Sequence, residues 1–499
     1  MPRPPRSRRL PATTTKARPC ALNCRRNSWP SPKSTFSRSS GSSTRMRRST
    51  TVGEVDAGVL AYTAGQDRVL DLALVEADCM GTAAHAEMLS RVPVRPPLLK
   101  PAEARRIAAE LARIADDAAA GRFVITLEDQ DVHLAVERRL TEKLGDLGRR
   151  VHVCRSRNDQ VAVDLRLFAK GRLLEAVAAA AELSRTLLAL ARKHRKVPMV
   201  GRTHMQPAMP SSVGLWASAW AEGLLEDIEL LQSAYELNNR CPLGSAASYG
   251  VPVPIDRQRV SDRLGFARPV HNVLHANQAR GKIESVILSA LGQVMLTLSR
   301  LAQDLILFSM PEFGYFRLPA EFTTGSSIMP QKRNPDVLEL LRAKAAKVLA
   351  HAGLVAEIVR AAPSGYNRDL QEAKAPFMEG FDLTLSSLRI LQPLLAGLQV
   401  DAKALRRAFG PEVFATDRAL ELVAGGLPFR DAYHQVKAGL GGLAGRDPDA
   451  AVAAKTHLGA PAGLDFPAFG ARARQAAAWA ARERRRHETC RARLLGDRK

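Results

Sequence analysis

Four stretches of this chain, 161–195, 213–240, 282–309 and 335–361, each run at least 27 residues with few helix breakers. Apolar residues recur at spacings of three and four, as in "VILSALGQVMLTLSRLAQDLILF", which is a helical period. β-branched runs with period two are scarce, and aromatic content is 5%. The expected fold class is therefore all-α, with three helical domains around a central bundle of long helices. Rods without coiled-coil charge patterning carry wide apolar surfaces, and some of that surface is usually buried between subunits.

With 499 residues the chain has ample length for a large core. The expected boundaries are a basic leader over 1–50, an N-terminal helical domain over 51–154, the central bundle over 155–400, and a small helical domain over 401–499. In that last region elements shorten and Gly-Pro signals return. "PAEARRIAAELARIADDAAAG", 101–121, reads as an amphipathic helix with a Gly stop. The most apolar window, 285–299, is charge-free for 15 residues, short of the ~18–20 a membrane span needs.

The net charge of +23 is concentrated at the start. Residues 1–50 hold 13 Lys or Arg and no acid, so the remaining chain carries only +10. This Ser-, Thr- and Pro-rich leader cannot bury a core and is expected to be disordered. Three readings of it stand open: an organellar transit peptide, a nucleic-acid-binding arm, or translated sequence ahead of a true start at Met46. The six cysteines, at 20, 24, 79, 154, 241 and 490, lack paired zinc spacing and are expected to be reduced thiols. The expected location is the cytoplasm, with organellar import through the leader left open. Neither a membrane nor a nucleic-acid partner is expected.

The breaks between rods share a character. "RSRNDQ" (155–160) precedes the first rod, "GRTHMQPAMP" (201–210) the second and "GSSIMPQKRNPD" (325–336) the fourth; "PSGYNRDLQEAK" (363–374) follows the fourth. Each is dense in hydrogen-bonding side chains beside a helix end, where free backbone N–H groups favour carboxylates. Taken singly, each has an ordinary reading: a solvated cap, a structural histidine, a loop, a surface cation pair. As a set, Arg, Lys, Asn and Thr beside helix N-termini suit a dianionic dicarboxylate. The histidines are scattered with no ligand spacing, so no metal is expected, and no cofactor. No Walker loop or Gly-x-Ser-x-Gly elbow is present. Ser326, between Gly325 and Ser327 and near Lys332, reads as a base whose ionised form backbone N–H groups and an ammonium would favour. Removing a proton beside a carboxylate gives an aci-carboxylate, which donors such as Lys332 and Asn334 would stabilise. Asn334, Pro335 and Asp336 look like the cap and first turn of a helix starting near 335.

These stretches, together with "GLPFRDAYHQV" (426–436), resemble the fumarase/aspartase superfamily, and within it the argininosuccinate lyase family, over roughly 55–445 and in consistent order. The resemblance implies a homotetramer whose active sites combine segments from three subunits. It implies that Ser326 removes the Cβ proton, and that His204, oriented by Glu339, takes part in proton transfer to the departing nitrogen. Thr203 and Asn158 would bind substrate, with Arg157 near a carboxylate. Tyr366, Gln371 and Lys374 would hold its other end, and loop 323–334 would act as a lid. Three departures stand out. Cys154 occupies a position where the family usually has Gly or Ala. Asp67 aligns near the family's substrate serine. "QARG" (278–281) replaces "SDRD", keeping Arg280, which joins the substrate-binding set. The implied reaction is reversible elimination of fumarate from argininosuccinate; the alternative is another C–N lyase acting on a different N-substituted aspartate.

Overall fold

The computed structural model describes residues 47–50 and 53–496. The expectation for the basic leader falls outside these residues except at β1 (Arg47–Thr50), whose backbone pairs antiparallel with β2 (Gly53–Asp56). Helices α1 (Ala57–Ala64), α2 (Val75–Leu89), α3 (Pro101–Ala119) and α4 (Val132–Leu144) come first. The rods follow: α5 (Arg157–Lys193), α6 (Val213–Asn238), α7 (Lys282–Ser309), α8 (Asp336–Arg360) and α9 (Lys374–Ala396). Shorter helices α10 (Ala415–Ala424), α11 (Phe429–Ala438) and α12 (Pro448–Ala453) lead to a last long helix, α13 (Phe466–Leu495). The all-helical expectation holds: the described strands form only two-stranded pairs.

Rod directions follow from side-chain pairings. Trp216 Nε1 on α6 donates to Asp304 of α7 at 2.9 Å, and Arg300 lies over the Trp220 ring. Ser285 Oγ on α7 donates to the Ala352 carbonyl of α8 at 3.2 Å, and Gly292 faces Leu349. Both pairs are antiparallel. Arg172 meets Asp382, and Glu175 meets Arg389, so α5 and α9 run parallel. Phe168, Phe377 and Phe381 pack edge-on between them. α7 is apolar enough to cross a bilayer by composition, with mean hydropathy 1.4. Most of its apolar residues instead face α6, α8 and α9 in the centre of the bundle.

Two local expectations are corrected. Elements stay short over 402–453, but α13 has 30 residues. It returns along α5, tied by Arg491 to Glu76 at 2.8 Å and by Trp479 packed on Tyr235. The middle of its buried face is built from Ala473, Ala476 and Ala480, whose small side chains give a weak apolar signal, with Phe466, Leu494 and Leu495 buried at its ends. The fourth rod starts at Asp336 with Pro335 as N-cap. Asn334 instead belongs to a short strand, Arg333–Asn334, that pairs with Thr324–Gly325.

Candidate active site

The start of α5 shows how the sequence builds one end of the bundle. Ser156 is the N-cap: its Oγ accepts from Asn158 N, and Asp159 Oδ1 accepts from Ser156 N at 2.9 Å. This reciprocal cap uses Ser156 and Asp159 and leaves the side chains of Arg157 and Asn158 to line a cleft. Arg280, Tyr366, Gln371 and Lys374 line the same cleft. Six of the twelve sequence-derived site residues thus meet here.

The cleft mixes charges. Arg157 pairs with Asp131 at 2.9 Å. Lys374, 2% exposed, pairs with Asp67 at 2.9 Å and with Asp71. Burial alone would push the Lys374 ammonium down, but the two carboxylates outweigh it and hold its pKa above the ordinary value. Lys374 therefore already has two anionic partners within its own chain. Gln371 Nε2 donates to the Thr63 carbonyl at 3.0 Å, and its Oε1 accepts from Arg368. Arg280 is buried and donates to Glu284 at 2.9 Å, while its Nη1 has no partner among the described residues. The cleft measures about 100 Å³, below the several hundred Å³ (about 300 upward) usual for ligand pockets. It has room for part of a substrate.

The other six residues lie on a hairpin, a flap and the first turn of α8. Strands β3 (Pro198–Thr203) and β4 (Gln206–Ser212) are joined by a two-residue turn, His204–Met205, with φ of 51° and 63°. Both values suit a type I′ hairpin turn. Thr203 and His204 are therefore presented, exposed, at the tip. The flap is pinned by the Thr324–Gly325 and Arg333–Asn334 pairing and by Thr324 Oγ1 on Asp336. Within it, Ser326 Oγ accepts from Ile328 N at 3.3 Å and Met329 N at 3.1 Å. Two backbone donors on one hydroxyl oxygen favour negative charge there. Lys332 is exposed, and its backbone N–H closes a turn onto Met329 O. Glu339 is exposed in the first turn of α8. Within one chain, no hydrogen bond or ion pair joins His204 to Glu339 among the described residues.

The two groups occupy opposite ends of the bundle. Hairpin and flap sit where α6 and α8 begin and α7 ends; the cleft sits where α5, α7 and α9 begin. α7 has 28 residues, so the ends are about 40 Å apart at about 1.5 Å per residue.

Sequence reasoning missed Asp131 and His133, which also line the cleft. "LEDQDVH", 127–133, is another polar-dense run at a helix start, the signal used elsewhere, but it precedes a short helix and not a rod. His133 Nδ1 lies 2.6 Å from Asp78 and 3.5 Å from Asp164, all three buried. The three offer atoms close enough to surround a cation. His133 and Asp78 share a hydrogen bond behind the cleft, with the buried Asp164 carboxylate beside them.

A lyase family model matches residues 53–350. The chain is 46% identical over 412 residues to the argininosuccinate lyase of Sorangium cellulosum, covering 83% of this chain and 95% of that protein. It is 41% identical to the argininosuccinate lyase of Stenotrophomonas maltophilia strain R551-3, covering 84% and 96%. The chain belongs to the argininosuccinate lyase family. Solved structures agree on the fold: an EDDS lyase in complex with formate superposes with TM-score 0.74 at 24% identity, covering 85% of this chain and 91% of that one. The class II fumarase of Schistosoma mansoni gives 0.62 at 16%, covering 81% and 98%.

Two departures from the family pattern acquire a physical context. Cys154 has φ 62°, a left-handed conformation that glycine adopts without cost. Gly281 has φ 73°, and a Cβ there would meet Val359 Cγ1 at 2.1 Å, so the close packing of α7 on α8 excludes an aspartate at that position.

Proposed function

We infer that this lyase cleaves argininosuccinate reversibly into L-arginine and fumarate. The observation that carries the reading is the 46% identity to a curated argininosuccinate lyase across 95% of that protein's length. The coarser statement, a carbon–nitrogen lyase acting on a small dicarboxylate, follows from family membership. In the proposed chemistry, ionised Ser326 takes the Cβ proton. The charge passes into the adjacent carboxylate as an aci-carboxylate, held by Lys332 and Asn334. The C–N bond then breaks, the nitrogen leaves as the arginine guanidino group, and His204 participates in the proton transfer to it. No metal or cofactor is required by this sequence of steps.

The proposed assembly is a homotetramer with shared sites. Hairpin and flap of one chain stand too far from its own cleft to act on one substrate. The outward faces of the rods carry Leu296, Leu340, Leu349 and Leu354, each at least 41% exposed in the single chain, as a subunit interface requires. In this assembly a neighbour's cleft, with Arg157, Asn158, Arg280, Tyr366 and Gln371, binds the end of the substrate away from the flap. The proposed location is the cytoplasm, supported by free thiols at Cys79, Cys154, Cys241 and Cys490. The test is fumarate absorbance on incubation with argininosuccinate and a panel of N-substituted aspartates. Turnover of argininosuccinate above the rest supports the reading; preference for another N-substituted aspartate overturns it.

A further inference from the structure

We propose that Lys455 and Asp417 are positioning residues for the hairpin that presents Thr203 and His204. The proposal rests on the reading of His204 as a group of the reaction. The hairpin is weakly tied by its own ladder. Pro207 pairs opposite Arg202 and Pro210 opposite Val200, with the register shifting between Gly201 and Arg202. Proline has no N–H, so β4 lacks donors at both places. Beside the hairpin lies an open groove of about 730 Å³ lined by Met209, Leu420, Ala424, Ala451 and Ala454 among others, so the strand's contacts with 411–414, α10 and α12 leave part of this side unfilled.

Lys455, just after α12, spans the gap. Its ammonium donates to the Pro210 carbonyl at 2.9 Å and pairs with Asp417 of α10 at 3.1 Å. Both side chains are less than one-fifth exposed, so the pair is more shielded than an ordinary surface bridge. The opposite side is held by Arg202, whose guanidinium stacks 5.0 Å from the Phe313 ring and donates to Met205 O at 3.2 Å. The hairpin is thus gripped at its tip by Arg202 and at its root by Lys455. Loosening the root displaces the imidazole without removing any group that touches substrate.

The experiment compares wild type, Lys455→Met, Lys455→Arg, Asp417→Asn and His204→Asn as full chains. It measures kcat and KM for fumarate release from argininosuccinate, thermal unfolding, and amide exchange over 198–212. Loss of the grip should lower kcat about 10- to 100-fold in Lys455→Met, the scale of a misplaced reacting group, with KM nearly unchanged. Exchange should rise at 199–211, and Lys455→Arg, which can still donate to both oxygens, should recover most of the rate. If Lys455→Met fails to fold, Asp417→Asn decides: its neutral amide still accepts from Lys455 but loses the charge, and an intermediate loss of kcat is expected. Wild-type kcat in the folded Lys455 and Asp417 variants, with His204→Asn inactive, overturns the positioning role. Full activity of His204→Asn overturns the reading of His204 itself, whatever the Lys455 variants do.

Discussion

Arg157 and Ser326 stand at opposite ends of one bundle, about 40 Å apart along α7, a helix of 28 residues. A single chain therefore cannot bring both to one substrate. Mixing inactive Arg157→Leu and Ser326→Ala chains, unfolded and reassembled together, should restore activity. If each site draws the two segments from independently chosen subunits, about a quarter of the wild-type rate is expected. Native mass spectrometry confirms mixed assemblies; mixed tetramers no more active than either parent would sink the shared-site reading.

Ser326→Ala should abolish turnover and leave folding intact. Its hydroxyl oxygen serves only the Ile328 and Met329 N–H groups inside an exposed flap. A base lost from the reaction costs on the order of 10³-fold or more in rate. Retention of a tenth of the wild-type rate, with an unchanged thermal midpoint, rules the role out.

Lys374→Met is expected to act on stability as well as on turnover. Asp71 is fully buried and pairs with the Lys374 ammonium, as does Asp67. Removing one partner of a buried pair costs about 3–5 kcal/mol. Denaturant unfolding reads this directly. Lys374→Met with Asp71→Asn should recover part of it, because fewer charges are then left unpaired. A single variant as stable as wild type contradicts the ion-pair account.

The His133–Asp78 pair sets a pH dependence of stability. Burial alone would push His133 down, but Asp78, Asp131 and Asp71 outweigh it and hold its pKa above the ordinary value. Burial raises Asp78, yet His133 and Arg155 hold its carboxyl below its ordinary value. The histidine's contribution is full below the unfolded value, about 6.5, and is lost as pH rises through its folded pKa. The aspartate's is lost as pH falls through its own. Between the unfolded and folded values of His133 the slope approaches about 1.4 kcal/mol per pH unit. His133→Gln should flatten the decline above pH about 6.5; a wild-type slope in that variant means the histidine is not its source.

The sequence by itself determined the rods, because a helix declares its period and its caps locally. It also marked Ser326, His204 and the α5 start, because polar-dense runs at helix ends are out of place in a core. Tertiary structure decided what those marks meet. Asp159 closes the α5 cap locally, but its second oxygen accepts from Gly244 N and Ala246 N, 85 and 87 residues away in sequence. The partners of Lys374, Asp67 and Asp71, lie some 300 residues away in sequence and come to it only through the fold. α13 was hidden because alanines spaced for a helix carry little apolar weight, and the surface of α5, with α2, α3 and α6 beside it, gives the helix something to bury against. The division of twelve site residues between two bundle ends arises from antiparallel packing of rods. Pairings such as Trp216 with Asp304 fix that packing through contacts 88 residues apart, a separation no local pattern encodes.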